Sequence, residues 1–325
     1  MLLAILVRLH LWQNGEGECT LKIMIKIINT LPQINELFDN GNFNLEKWKI
    51  YINSIYSDCE DIFLDDVKEY VSTEKYTFEN DFLPIINAVY KNPKLCELQA
   101  SFERVIDGLN EKIITKFSKE IDADIVLYLG LCNGAGWVTE INGSTEVLLG
   151  IEKIIELDWV SVDDMHGLIY HELGHVYQAQ YGVLEYNTQN SEEAFVGQLF
   201  TEGIAMYFEQ VLVGNINYYH QDKNGWKTWC DEHFEQILRD FKSDLLTMNN
   251  QNQRYFGDWA DYLGYGDVGY YLGARFVHYL LEEYDFDDLI NFDIDKIYKL
   301  FDQFCNIKPT ICLPIEGKGD RFSGG

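Results

Sequence analysis

The chain has 325 residues, 47% of them hydrophobic and 14% aromatic, which is enough apolar material for a folded core and excludes a disordered polypeptide. Its 53 acidic and 25 basic side chains give a formal net charge of -28. Such a surface repels phosphate backbones and anionic lipid, so neither nucleic-acid binding nor stable membrane insertion is expected.

The opening stretch "MLLAILVRLHLW" is too short to span a bilayer and is interrupted by Arg8 and His10. Residues 1–23 are therefore set apart as an N-terminal extension, one that could be disordered and could lie outside the native mature chain. Seven cysteines (19, 59, 96, 132, 230, 305 and 312) are scattered without a C-x-x-C pair. That pattern indicates no disulfide framework and fits a cytoplasmic location better than export.

From "IMIKIINTL", a first strand, the region 24–120 reads as mainly helical. "LEKWKIYINSIYSDCEDIFLDDVKEYV" carries the spaced apolar positions of amphipathic helices. The texture then changes. "DIVLYLGLC" (124–132) is a β-branched apolar run leading into the glycine-rich "NGAG", and Asn142-Gly143 sits between two strand-like runs as a hairpin signal. A small mixed or antiparallel sheet is expected here.

Directly after it comes "LIYHELGHVYQAQYG". Ser161 can cap this helix, with Asp164 completing a variant capping box, and Gly182 can stop it. His171 and His175 lie at i and i+4, so both imidazoles share one face and can converge on a tetrahedral Zn2+. Glu172 flanks that face, where a general base would act. Gly174 borders it and is read as leaving room for a substrate backbone. The competing reading is a helix carrying two capped or surface histidines, and a third ligand would decide between them.

Glu202, in "FTEGIAMYFE" on the next predicted helix, is the best candidate for that ligand, with Asn190 and Glu193 as caps and Gly203 allowing close helix approach. Glu192, Glu193 and Glu209 remain open by their separation. The three-histidine form HExxHxxGxxH is excluded by Gln178 and Tyr181. The region 121–213 is thus expected to be the catalytic core and 214–316 a helical region completing a cleft, with "GKGDRFSGG" (317–325) as a tail.

"HELGH" followed by "TEGIA" resembles the gluzincin class of zinc metallopeptidases. The layout is closer still to a bacterial family of predicted Zn-dependent proteases, in which a glycine-rich strand pair precedes the motif helix and a "GYxxG" helix follows; here that element is Gly269, Tyr270, Tyr271, Leu272, Gly273. The resemblance spans about residues 124–280. It implies an α+β, mainly helical, zincin-like fold whose sheet packs beside the zinc-binding helix. It also implies one Zn2+ held by His171, His175 and Glu202, and a peptide or protein substrate.

Two departures stand out. Met206 occupies the position where thermolysin-like enzymes carry an aspartate that orients a ligand histidine, so the orienting group must come from elsewhere. "NGAGWVTE" replaces the element that grips a free amino terminus in the large aminopeptidases, which leaves aminopeptidase action unsupported.

The expected function is hydrolysis of a peptide bond by a Zn-activated water with Glu172 as general base. Tyr270 is the first candidate to steady the oxyanion, ahead of Tyr271, Arg275 and His220. The edge of the hairpin at 137–151 could receive an extended peptide. Two alternatives remain: a zinc-dependent hydrolase of a non-peptide amide, and a non-catalytic, zinc-stapled binding protein derived from a peptidase.

Overall fold

The computed structural model describes residues 25–186, 188–257 and 260–306. The expected extension at 1–23 and tail at 317–325 lie outside the described residues.

The fold is α+β and mainly helical. Strand β1 (Lys26–Asn29) is followed by a short antiparallel ribbon of β2 (Phe38–Asp39) and β3 (Asn42–Phe43), then by helices α1 (Leu45–Ile55), α2 (Glu60–Ser72), α3 (Leu83–Asn87), α4 (Leu95–Ile106) and α5 (Leu109–Phe117). Strands β4 (Asp124–Tyr128), β5 (Gly136–Ile141) and β6 (Ser144–Gly150) come next. The remainder is helical: α6 (Ile151–Glu156), α7 (Val162–Tyr181), α8 (Ser191–Val213), α9 (Trp226–Asp244), α10 (Val268–Leu280), α11 (Phe286–Leu289) and α12 (Ile294–Cys305). The long apolar stretch at 45–71 breaks into two helices at Tyr56–Cys59, where Asp58 takes a positive φ.

The principal sheet has the order β1-β4-β6-β5. β4 runs parallel to both β1 and β6, while β5 and β6 form the antiparallel hairpin. Asn142 and Gly143 both adopt positive φ in its two-residue turn, as a right-twisted hairpin requires. β1 joins the sheet across almost a hundred residues, so the region 24–120 contributes a strand to the core as well as helices. Helix α1 is pinned to the end of β4: Trp48 Nε1 donates to Leu129 O at 2.8 Å, and Leu129 N donates to Tyr51 Oη at 3.0 Å.

Helix α7 runs between the sheet and α8 and is buried on nearly every side, which explains why its apolar residues do not form a single stripe. Ser161 caps it as expected, accepting from Asp164 N at 3.2 Å. Gly182 ends it, but not through a left-handed cap: its φ is -152°, and a Cβ there would collide with the Ile290 carbonyl. Asn190 caps α8 by accepting from Glu192 N at 3.0 Å, and Gly214 closes that helix in the left-handed region.

The contacts of two helix glycines differ from expectation. A Cβ on Gly174 would lie 2.7 Å from Ala205 Cα, so this glycine seats α7 on α8 and makes no room for substrate. Gly203 faces the Gly273 carbonyl, and a Cβ on Gly273 would lie 2.5 Å from Leu199 O. The pair lets α8 and α10 touch backbone to backbone, so Gly203 serves α10 and not α7.

Candidate metal centre and cleft

On α7, one helical turn separates His171 from His175, and their ring centroids are 4.9 Å apart. Helix α8 packs across them and delivers Glu202. Its Oε2 lies 3.1 Å from His171 Nε2 and 3.3 Å from His175 Nε2. Ligands held ~2.1 Å from a tetrahedral zinc stand about 3.4 Å from one another, close to the two distances Glu202 makes to the imidazoles, and the three ligand atoms lie within 4.8 Å of one another. Two imidazoles and one carboxylate are also the donor set of a catalytic zinc site with an open fourth position. The residues fit the ion.

The electrostatics point the same way. Burial pushes the Glu202 carboxyl up, but the neighbouring His175 and the hydrogen bonds from both imidazoles outweigh it and hold the group down at about 2. Burial works against a charged His175, yet Glu202 and Glu172 raise it. A half-buried carboxylate between two imidazoles calls for positive charge, which a divalent cation supplies without protonating the rings.

Glu172, only 6% exposed, packs on the first residue of β5, where a Cβ on Gly136 would lie 2.6 Å from its Oε1. Burial, followed by the opposing pull of His175, leaves its carboxyl at about 7. A base that titrates near neutrality can both take and return a proton.

The acid that faces the other edge of the His171 ring is Glu209, two turns after Glu202 on α8. It is fully buried, and its Oε2 stands 3.5 Å from His171 Nδ1 and 2.9 Å from His220 Nδ1. Of the glutamates left open as ligands, it alone reaches the centre, on the ring edge opposite Glu202. Glu192 instead accepts from Tyr298 Oη at 2.7 Å, and Glu193 is bound to Asn190 and Thr188. Burial pushes Glu209 up to about 7 and His220 down to about 4, which favours a neutral imidazole donating Nδ1–H to the carboxylate. His171, Glu209 and His220 form a second buried group with metal-ligand geometry.

His220 ranked below Tyr270 in the sequence, yet its ring lies 5.6 Å from that of His171. The segment after α8 crosses α7 at Gly167, where any Cβ would strike the His220 side chain, and Tyr218 Oη anchors it by donating to Asp163 O at 2.6 Å. A glycine four residues before HExxH was the available signal, and its partner could not be read from it.

Tyr270 on α10 also reaches the centre, with its ring 5.4 Å from His171. Tyr271 and Arg275 do not: Tyr271 Oη donates to Asp231, and Arg275 donates to Tyr271 Oη, each at 2.8 Å. The remaining described histidines have structural partners. His166 lies against Tyr170, His233 stacks on Trp229, and His278 pairs with Gln210.

A cleft of about 200 Å³ opens beside these groups. The loop 132–136 forms one wall, and Trp159, His220, Gln221, Asp267 and Tyr270 line others, with His171 and Glu172 also exposed to it. Glu152, 1% exposed, shapes the loop by accepting from Gly130 N at 2.8 Å and Cys132 N at 2.9 Å. Among the described residues, no helix is long and apolar enough to cross a membrane. No family model matches the chain, and neither curated proteins nor solved structures give a match.

Proposed function

We propose that this chain is a zinc-dependent hydrolase that cleaves peptide bonds, of the gluzincin kind. One observation carries the reading: Glu202 Oε2 stands 3.1 Å from His171 Nε2 and 3.3 Å from His175 Nε2 while Glu172 lines the adjoining cleft. When bound, zinc supplies Lewis acidity that activates water and polarises a carbonyl.

The chain's own residues do the rest. His171, His175 and Glu202 hold the ion, and Glu209 fixes the orientation of the His171 ring. Glu172 accepts the proton of the attacking water and hands it to the departing amine. Tyr270, whose ring lies 5.4 Å from that of His171, donates its hydroxyl to the carbonyl oxygen as charge builds there. β5 is the outer strand of the principal sheet, and its first residue touches Glu172, so an extended peptide paired along this edge would bring a scissile bond to the base.

The small cleft gives the hydrolysis of a compact non-peptide amide a place as the second reading, since it admits only one or two substrate residues. A binding protein that keeps zinc as a staple ranks lower, because a structural site takes four protein ligands and has no use for Glu172. A cytoplasmic setting is supported by the five described cysteines, all free.

The test is metal analysis of the purified protein together with chelator-sensitive cleavage of a mixed peptide library and a panel of small amides. Wild type is expected to hold one zinc and cleave peptides. Glu172→Gln is expected to keep the zinc and lose at least about a hundredfold in rate. Full turnover by that variant would remove Glu172 from its role.

A further inference from the structure

The loop 132–136 that walls the cleft is held in a shape it would not keep alone. Cys132 has a φ of 66°, in left-handed backbone that a residue with a Cβ disfavours. Two acids from outside the loop fix it there. From α6, Glu152 accepts from Gly130 N at 2.8 Å on one carboxylate oxygen and from Cys132 N at 2.9 Å on the other. The chain carries no Cβ where this carboxylate lies: one on Gly130 would stand 2.6 Å from Glu152 Oε1. From α2, Asp66 accepts from Asn133 Nδ2 at 2.9 Å, and the same Nδ2 donates to Phe63 O at 3.0 Å.

Neither acid lines the cleft itself, so neither meets a bound molecule directly. The loop they hold passes into β5 at Gly136, which rests on Glu172. Its position therefore sets how much room stands between the cleft wall and the base.

We infer, building on the peptidase reading above, that Glu152 and, more weakly, Asp66 are positioning residues, which hold the loop 130–136 in the shape that receives a peptide. Position 152 calls for a carboxylate. Two N–H groups point at its two oxygens, and a glutamine of the same size turns its own NH2 against one of them. The freed loop then relaxes away from the left-handed turn at Cys132. Peptide affinity falls with the fraction of molecules in which the wall stays formed. The metal ligands belong to α7 and α8, which the loop does not carry, so zinc affinity stays as it was.

Loop hydrogen exchange and peptide binding are measured on full-length, zinc-loaded protein carrying Glu172→Gln. Adding Glu152→Gln is expected to speed exchange of the 130–136 amides at least about tenfold. Binding of a dye-labelled, randomised hexapeptide pool is expected to weaken at least about fivefold. Asp66→Ala is expected to shift both readouts in the same direction by at least about twofold, and it carries the test if Glu152→Gln does not fold. Glu146→Gln replaces a buried acid that bonds instead to Tyr56, and is expected to change neither. Zinc affinity, from chelator competition, is expected to agree within about twofold across all of these proteins. With Glu172 intact, Glu152→Gln is expected to raise the KM of a cleaved peptide at least about fivefold and to leave kcat within about threefold.

Unchanged loop exchange overturns the inference. So does unchanged peptide affinity, loss of zinc together with peptide, or a pool that binds to none of the proteins. Peptides that bind and weaken as expected, but that the protein with Glu172 intact never cleaves, would sink the hydrolase reading alone. Cleavage with the same KM in the Glu152→Gln protein would sink this one alone.

Discussion

The Glu209 carboxylate meets His220 Nδ1 at 2.9 Å and, from the same oxygen, stands 3.5 Å from His171 Nδ1. One buried acid therefore lies against a ring of the candidate metal centre and a ring of the cleft together. It lies two turns beyond Glu202 on the same helix, whereas the position one turn beyond Glu202 is Met206.

Loss of that acid should be felt first in metal affinity. Glu209→Ala is expected to weaken zinc binding about 10- to 100-fold, as removal of an outer partner of a ligand histidine does. Glu209→Gln, which keeps an acceptor, should recover part of it. Competition with a chromophoric chelator measures both. Unchanged affinity in the alanine variant would deny Glu209 its orienting role, and two zinc ions per wild-type chain would make it a ligand of a second ion.

Removal of the third ligand should be harsher. Glu202→Ala leaves two imidazoles and no carboxylate, and zinc stoichiometry after dialysis should fall well below one per chain. A variant that still carries a full equivalent of zinc would move the ligand to another side chain.

The glycine contact between α8 and α10 should be intolerant of any side chain. A Cβ at Gly203 would meet the Gly273 carbonyl, and one at Gly273 would meet Leu199 O at 2.5 Å. Gly203→Ala forces two backbones apart and is expected to cost roughly 1–3 kcal/mol of unfolding free energy, read from urea denaturation. Because α10 carries Tyr270, this variant should also disturb the cleft. Wild-type stability would show that the helices can separate freely.

Stability should also depend on pH through Glu146, which is 3% exposed and accepts from Tyr56 Oη at 2.8 Å. Burial raises its carboxyl to about 7, against an ordinary value of 4.5. A raised acid favours the protonated folded form. Its stabilising contribution is therefore fully present below pH 4.5 and is lost as pH rises to about 7. The Tyr56 hydrogen bond and nearby Lys26 favour the charged form and offset part of the burial, so the loss is on the order of 1–2 kcal/mol. Glu146→Gln, which keeps the acceptor for Tyr56, should gain on wild type by that amount between pH 5 and pH 7.5 in urea titrations. Parallel pH profiles for the two proteins would remove Glu146 from the account.

Much of the centre was legible because its signals are local. Two histidines four residues apart on a helix share a face whatever surrounds them, and the caps at Ser161 and Asn190 act within one turn. Asn142-Gly143 fixed the hairpin for the same reason: both residues accept positive φ. Glu202 was reached with one further step, a helix folding back across its predecessor.

Contacts between distant elements were not legible. Nothing near His220 in the chain announces that its segment crosses α7 at Gly167, or that Glu209 waits beneath it. Gly174 and Gly203 could be recognised as sites of close approach, but only packing decided what approaches them. The α7–α8 contact claimed Gly174, and α10 claimed Gly203. The parallel pairing of β1 with β4 likewise joins residues almost a hundred positions apart. Helix caps, hairpin turns and i, i+4 spacings are set by backbone geometry over a few residues, so the sequence determined them by itself. Which buried acid meets which ring depends on how whole helices dock against one another, and only the tertiary structure decided that.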